Sequence, residues 1–139
     1  MPKNNILKLI IDTNLWVSFL ISNSHRKLDT LLIGNKIIFL FSEALLAEIK
    51  QTISKPRLKK YFLENAFGEM MEVFEPYIEL IEVRSTVNVC RDPDDNFLLA
   101  LAKDGKANYL LTGDEDLLIL KNFGKTSIVT IASFLKTIV

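Results

Sequence analysis

The sequence predicts an α/β protein, a three-layer α/β/α sandwich around a central, mainly parallel sheet of about five strands. Three observations carry that expectation. Apolar runs of strand length recur at 6–11, 36–41, more weakly at 78–89, and again at 108–111 and 127–131. Segments of helical periodicity lie between them, and parallel strands need such crossover connections, with helices covering both faces. The chain has 139 residues, 49% hydrophobic and 24% charged, so residues 1–139 are expected to form a single domain with one core.

The first run, ILKLII, ends on Asp12, and a helical pattern over 14–21 places Leu15, Phe19 and Leu20 on related turns. Trp16 and Phe19 follow the acid at helical spacing and read as core packing, with RNA stacking as the sharper alternative. A helix over 26–33 stops at Gly34, the residue expected just past a helix end. After the strand KIIFLF, Ser42 is placed to cap a helix over 43–53 in which Leu45, Leu46, Ile49 and Ile53 share a face, and Pro56 closes it. Helices over 57–64 and 66–75 follow, interrupted near Gly68 and ended by Pro76. The second carries Phe67, Met70, Met71 and Phe74, with Tyr77 just beyond, either to fill the core or to form a dimer or partner surface. A helix over 95–103 ends at Gly105.

Lysine plus arginine equals aspartate plus glutamate, 17 each, so no global field draws the chain to a polyanion and any such ligand needs a local patch. The lone Cys90 cannot form an internal disulfide, which fits a reducing compartment. The N-terminal apolar run is too short for a signal sequence and no window reaches the length of a membrane span, so a cytoplasmic protein with no membrane association is expected.

The carboxylates are the chemically informative residues. In open α/β sheets, ligands sit beyond the carboxyl ends of the strands, near the switch point. Asp12 ends the first strand, NYLLTGDED puts Asp114 and Asp116 just after a later one, and RDPDDN holds Asp92, Asp94 and Asp95 at the mouth of a helix. Glu48 lies mid-helix on the flank of the apolar stripe. Each acid has a plain reading: Asp12 and Asp95 as helix caps, Asp116 as a first-turn acid, Glu48 as a solvated flank residue. Four carboxylates brought together repel by about 4 kcal/mol per pair at 4 Å, so a cluster must take up protons or a cation. All-oxygen ligation suits Mg²⁺ or Mn²⁺.

IIDTNLW, SEALLAEI, RDPDDNFLLALA and YLLTGDEDLL, in this order over nearly the whole chain, resemble the PIN-domain family, in particular the VapC-like ribonucleases that form the toxin half of prokaryotic toxin–antitoxin pairs. The resemblance implies a metal-dependent endoribonuclease in which Asp12, Glu48, Asp95 and Asp114 correspond to the catalytic acidic quartet and hold Mg²⁺ or Mn²⁺. Asp116 shares or replaces the role of Asp114, and Asn14, Thr112 and Asp92 are auxiliary groups near the metal. It also implies an RNA substrate, a small antitoxin partner and a homodimer.

An acidic pocket repels its substrate, so basic residues are needed around it. ISKPRLKKYF offers Lys55, Arg57, Lys59 and Lys60, and SHRK adds Arg26 and Lys27, against the plainer reading of a solvated helix face. The single histidine, His25, has no second imidazole to pair with, which argues against a metal-free histidine mechanism and leaves it as an exposed loop residue. Two alternatives remain. One is a phosphatase of the haloacid dehalogenase type, whose nucleophilic Asp also ends a first strand, although Asn14 stands where such enzymes place a second Asp. The other is an RNA-binding PIN module without turnover.

Overall fold

The computed structural model describes residues 6–22, 36–60 and 65–138. The expected helix over 26–33, residues 61–64, His25, Arg26 and Lys27 lie outside the described residues. In chain order the elements are β1 (Ile6–Ile11), α1 (Thr13–Ser22), β2 (Lys36–Phe41), α2 (Glu43–Ile53), α3 (Pro56–Lys59), α4 (Ala66–Phe74), β3 (Ile78–Leu80), α5 (Asn96–Gly105), β4 (Tyr109–Leu111), α6 (Glu115–Leu118), β5 (Asn122–Phe123), β6 (Thr126–Val129) and α7 (Ile131–Ile138). The strands form one six-stranded sheet in the order β3-β2-β1-β4-β6-β5, parallel throughout except for the short antiparallel pair β5 and β6.

Both faces of this sheet are covered, which is why its central strands read as unbroken apolar runs. Leu9, Ile10 and Ile11 are all buried although successive side chains point to opposite faces. In the registers Leu9 with Phe39 and Leu9 with Tyr109, one face gathers Leu9, Ile11, Phe39, Phe41, Tyr109 and Leu111. There α1 and α4 supply Trp16 and Phe74, and the Trp16 ring centroid lies 5.4 Å from Phe39, 5.3 Å from Phe41 and 6.0 Å from Phe74. At the other end of this face α7 seats Phe134 against Tyr109, centroids 4.8 Å apart.

The opposite face belongs to α5. A Cβ at Gly105 would lie 2.7 Å from Leu40 Cδ1 and 3.2 Å from Ile81 Cγ1, so only glycine lets this helix end approach the sheet. The left-handed residue that closes the helix is consequently Lys106, one place beyond the glycine expected to do so. Ser42 caps α2 as expected, its Oγ accepting from the Leu45 N–H at 3.1 Å while Leu45 and Ile49 are buried. Phe67 and Met71 pack on the core and Met70 and Phe74 are buried within it, so most of the apolar excess in α4 is core filling.

Three expectations need correction. The weak run over 78–89 forms a strand only at Ile78–Leu80, because the backbone N–H groups of Arg84 and Ser85 donate instead to Asp104 Oδ2, at 2.6 and 2.8 Å. Of the helix expected over 57–64, the described residues form only the single turn Pro56–Lys59, which starts one residue earlier. The C-terminal helix α7 and the two-residue β5 had no counterpart among the expected elements.

The topology fixes where a ligand can sit. The chain leaves β1 toward β2 and β3 on one side, then returns to place β4 on the other, so the order reverses between β1 and β4. Their last residues, Ile11 and Leu111, are paired, and the crevice beyond them is the switch point.

Candidate metal centre

Asp12 stands at the end of β1 and is only 5% exposed. Its Oδ1 accepts the Leu15 N–H at 2.8 Å, which is the N-cap of α1, while Oδ2 accepts the Thr112 hydroxyl from the end of β4. Cap and site residue are therefore one and the same side chain, each oxygen retaining a lone pair. Thr112 Oγ1 in turn accepts the Asp114 N–H at 3.0 Å, so one buried hydroxyl couples the acids of two strands. Asp114 Oδ1 caps α6 by accepting the Asp116 N–H at 2.8 Å, and Asp116 is the first-turn acid of that helix.

The loop before α5 divides its acids by role. Asp92 Oδ1 accepts the Asp94 N–H at 3.0 Å and so caps the helical turn Pro93–Asp95. Asp95, at the helix mouth, occupies the N-cap position of α5, yet its side chain makes no capping hydrogen bond there. Its Oδ2 is buried with no hydrogen-bond partner among the described residues. Asp94 is exposed. Carboxylate oxygens of Asp92, Asp95 and Asp116 lie within 4.8 Å of one another, where bare charges repel by roughly 3–4 kcal/mol per pair at an effective dielectric near 20.

Two residues that sequence reasoning did not place at this site, Arg91 and Cys90, hold this arrangement. Arg91 places Nε and Nη2 each 2.5 Å from Asp116 Oδ1, a resident cation at the cluster's rim, while its side chain stays 62% exposed. Cys90 donates its thiol to the Asp116 carbonyl at 3.6 Å, and its N–H is accepted by Asn96 Oδ1 at 2.9 Å. Burial pushes the Cys90 thiol up, aided by the charges of Asp95, Asp114 and Asp116, so it serves as a tie between loops rather than as a nucleophile. Arg91 adjoins Asp92 in sequence, but its target lies 25 residues on, a pairing that no local pattern reveals. Thr13 Oγ1, next to Asp12, is also buried without a partner among the described residues.

The remaining expected residues lie farther out. Glu48 is exposed on α2 and, like Asp12 and Asp114, stands outside the group within 4.8 Å, although its helix packs on α1 and α5, the two helices that begin beside Asp12 and Asp95. Asn14 is exposed in the first turn of α1. Lys55, Arg57 and Lys59 are exposed around α3, and none is seen to contact the acids among the described residues. A hollow of about 400 Å³ runs beside the centre, between the start of α2 at Ser42 and Glu43, the strip 83–87, and Asn96 and Phe97 at the start of α5.

The electrostatics record the crowding. The Asp95 carboxyl is pushed up to about 7, first by burial, then by the Asp114 carboxyl beside it and by the charges of Asp92 and Asp116. Burial also raises Asp12, with the Asp114 charge adding to it, against the lowering donors Thr112 and the Leu15 N–H. Both groups hold protons more tightly in the folded chain than in the unfolded one, so stability declines as pH rises through the interval between the unfolded and folded values. In EDTA the melting temperature is expected to fall between about pH 5 and about pH 7.5. Asp104, held below its usual range by Ser85 and the Arg84 N–H, changes stability only in more acid solution and leaves this window alone. A melting temperature that climbs across the window would contradict the assignment.

Oxygen-only donors, a buried carboxylate oxygen without a partner and mutual repulsion are what a hard divalent cation would satisfy, so the residues fit such an ion. No helix among the described residues is long and apolar enough to cross a membrane. The chain is 34% identical to an uncharacterized protein of Methanocaldococcus jannaschii, MJ1680, over 122 residues that cover 86% of this chain and 78% of the relative. The PIN domain family model matches residues 8–116, a span that begins in β1 and ends at Asp116. On these matches the chain belongs to the PIN domain family, a family of nuclease fold whose members are generally metal-dependent.

Proposed function

We propose that the protein is an endoribonuclease that cleaves RNA phosphodiester bonds with Mg²⁺ or Mn²⁺ held by Asp12, Asp95 and Asp114, with Asp92, Asp116 and Glu48 completing or orienting the set. The observation that carries this reading is the convergence of acids from separate chain segments at the β1/β4 switch point, with Asp95 Oδ2 buried and unpartnered. When bound, the ion supplies charge neutralisation at the phosphoryl oxygens and a more acidic attacking water.

The chain's own residues do the rest. Asp95 and Asp114 orient the attacking water for in-line displacement and accept its proton. Thr112 keeps Asp12 and Asp114 in register. Arg91 uses Nε and one Nη on Asp116, so its other guanidinium donors are free to meet the phosphate of a strand lying over the cluster. The hollow between Ser42 and Phe97 accommodates the adjoining nucleotide. Products with 5′-phosphate and 3′-hydroxyl ends follow from attack by water with the 3′ oxygen leaving.

The decisive experiment is digestion of defined RNAs, with end-group analysis, in EDTA and after Mg²⁺ or Mn²⁺ is restored. Cleavage is expected only with the divalent ion, and equal cleavage without it would overturn the proposal. Family membership speaks against the phosphatase alternative, and an inactive RNA-binding module would bind RNA without cutting it under any of these metals.

The toxin role belongs to the same proposal. Its support is the ordered set of acidic motifs, and the exposed apolar residues Val73, Tyr77 and Leu80 offer a surface for a second copy or a small antitoxin. Growth arrest on expression, relieved by the product of an adjacent reading frame, is the expected result. Arg57, Lys59 and Lys55 are proposed to contact RNA beyond the cut, and Arg57→Glu with Lys59→Glu should weaken RNA binding if they do.

A further inference from the structure

We infer that a cavity at the amino-terminal edge of the sheet binds the phosphate of a nucleotide, either a free mononucleotide or the terminal residue of an RNA strand. The cavity holds about 400 Å³ and is walled by the last turn of α5, the residues leading into β4 and the turn between β5 and β6. That is the size of a small-ligand site and more than a bare phosphate needs. Lys103, Lys106 and Lys125 are exposed around it, and among the described residues no carboxylate lines it. Among the described residues none of the three ammonium groups is within ion-pair distance of an acid. Asp104, the neighbour of Lys103, is turned to Ser85 and the Arg84 N–H.

Two further observations point to a ligand rather than to scattered surface lysines. Lys106 adopts φ 55° and ψ 49°, the left-handed region in which a side chain is disfavoured and glycine is at ease. The helix end fixed by Gly105 holds this backbone in place and so sets Lys106 at the rim of the cavity. Asn108 Oδ1 accepts the Lys8 N–H at 2.8 Å, which fixes the amide so that Nδ2 is a donor with no partner among the described residues. Ammonium and amide groups are donors only and select an anion.

The frame is rigid, with the Asn108 N–H donating to Lys8 O at 2.8 Å and Thr126 Oγ1 donating to Ala107 O at 2.7 Å. Phe123, half-buried against the core, and the buried Ala102 and Ala107 give an apolar wall on which a base of any identity can lie. Zero net charge thus conceals a cationic cavity at one edge of the sheet and acids at the other. The inference does not rest on the ribonuclease reading, since Asn108 precedes β4 and the acids follow it.

The test is equilibrium binding of 5′-AMP, adenosine, inorganic phosphate and a short RNA with or without a 5′-phosphate, all in EDTA so that the acidic centre is silent. AMP or the phosphorylated RNA is expected to bind saturably, adenosine and unphosphorylated RNA at least about tenfold more weakly. Binding of AMP together with RNA identifies a free nucleotide as sufficient; binding of phosphorylated RNA alone identifies a strand end. Lys106→Gly and Lys125→Gln should each weaken binding by about tenfold or more. Because Lys106→Gly also relieves the left-handed strain, its melting temperature should be no lower than that of the parent, which separates lost binding from lost folding. Unchanged affinity in both variants, or no saturable binding of either phosphorylated probe, would overturn the inference.

Discussion

Asp95→Asn is expected to lower RNA cleavage by about a hundredfold or more, the usual loss when a positioned acid or base is removed, and at the same time to raise the melting temperature of the metal-free protein above neutral pH. The two effects have one source. Asp95 is crowded by Asp92, Asp114 and Asp116, and its carboxyl is pushed up to about 7, so above that pH the folded chain must hold a charge that the unfolded chain carries without cost. Asparagine keeps the shape and removes the charge. The sign follows from linkage: a raised folded value lends stability at low pH and loses it as pH climbs toward 7, so the variant's advantage should vanish near pH 4 and be largest above neutrality. A misfolded variant would lose activity and stability together, whereas a disabled site in an intact fold loses the first and gains the second. Mn²⁺ should stabilise the parent and leave the variant little changed. Retained cleavage in Asp95→Asn, or a melting temperature depressed at pH 8, would remove Asp95 from the centre.

How far this arrangement can be read from the chain depends on which force decides each element. Burial on both faces writes β1, β2 and β4 as apolar runs, and Asp12 and Asp114 follow from those strand ends. The run after Leu80 reads as strand by the same rule, yet its N–H groups are taken by the Asp104 side chain, a choice made by a residue 19 or 20 positions away. Gly105 reads as a helix stop, while its real constraint is the approach to Leu40, which throws the left-handed residue onto Lys106. At the centre, spacing cannot tell which acid of RDPDD makes a cap; Asp92 caps the turn Pro93–Asp95, and the Asp95 side chain caps no helix. Arg91 escaped notice for a similar reason, since its pairing with Asp116 exists only once the two loops meet. Glu48 is singled out by its motif alone, and the fold leaves it exposed on α2, outside the group of acids within 4.8 Å of one another.

Thr112→Val should cost about ten- to a hundredfold in cleavage although the residue touches no substrate, the range found when the partner of a metal ligand is removed. Thr112 is 1% exposed; its hydroxyl donates to Asp12 Oδ2 and accepts from the Asp114 N–H at 3.0 Å. Valine has nearly the same shape, so the core between β1 and β4 stays filled, but a buried N–H loses its acceptor and a buried carboxylate its donor, a stability cost of about 1–3 kcal/mol. The Thr112 hydroxyl is among the groups that hold Asp12 down against burial and the Asp114 charge, so without it the Asp12 carboxyl must rise further. A carboxyl that keeps its proton to higher pH is a poorer cation ligand, and the acid limb of the pH–rate profile should therefore move to higher pH. Weaker Mn²⁺ binding should accompany the shift, and raising the pH should restore part of the lost rate. Thr112→Ser, which retains the hydroxyl, should recover most of the activity. A valine variant with the parental pH profile and metal affinity would show that Asp12 and Asp114 are aligned by their backbones alone, and that the hydroxyl between them serves the fold rather than the chemistry.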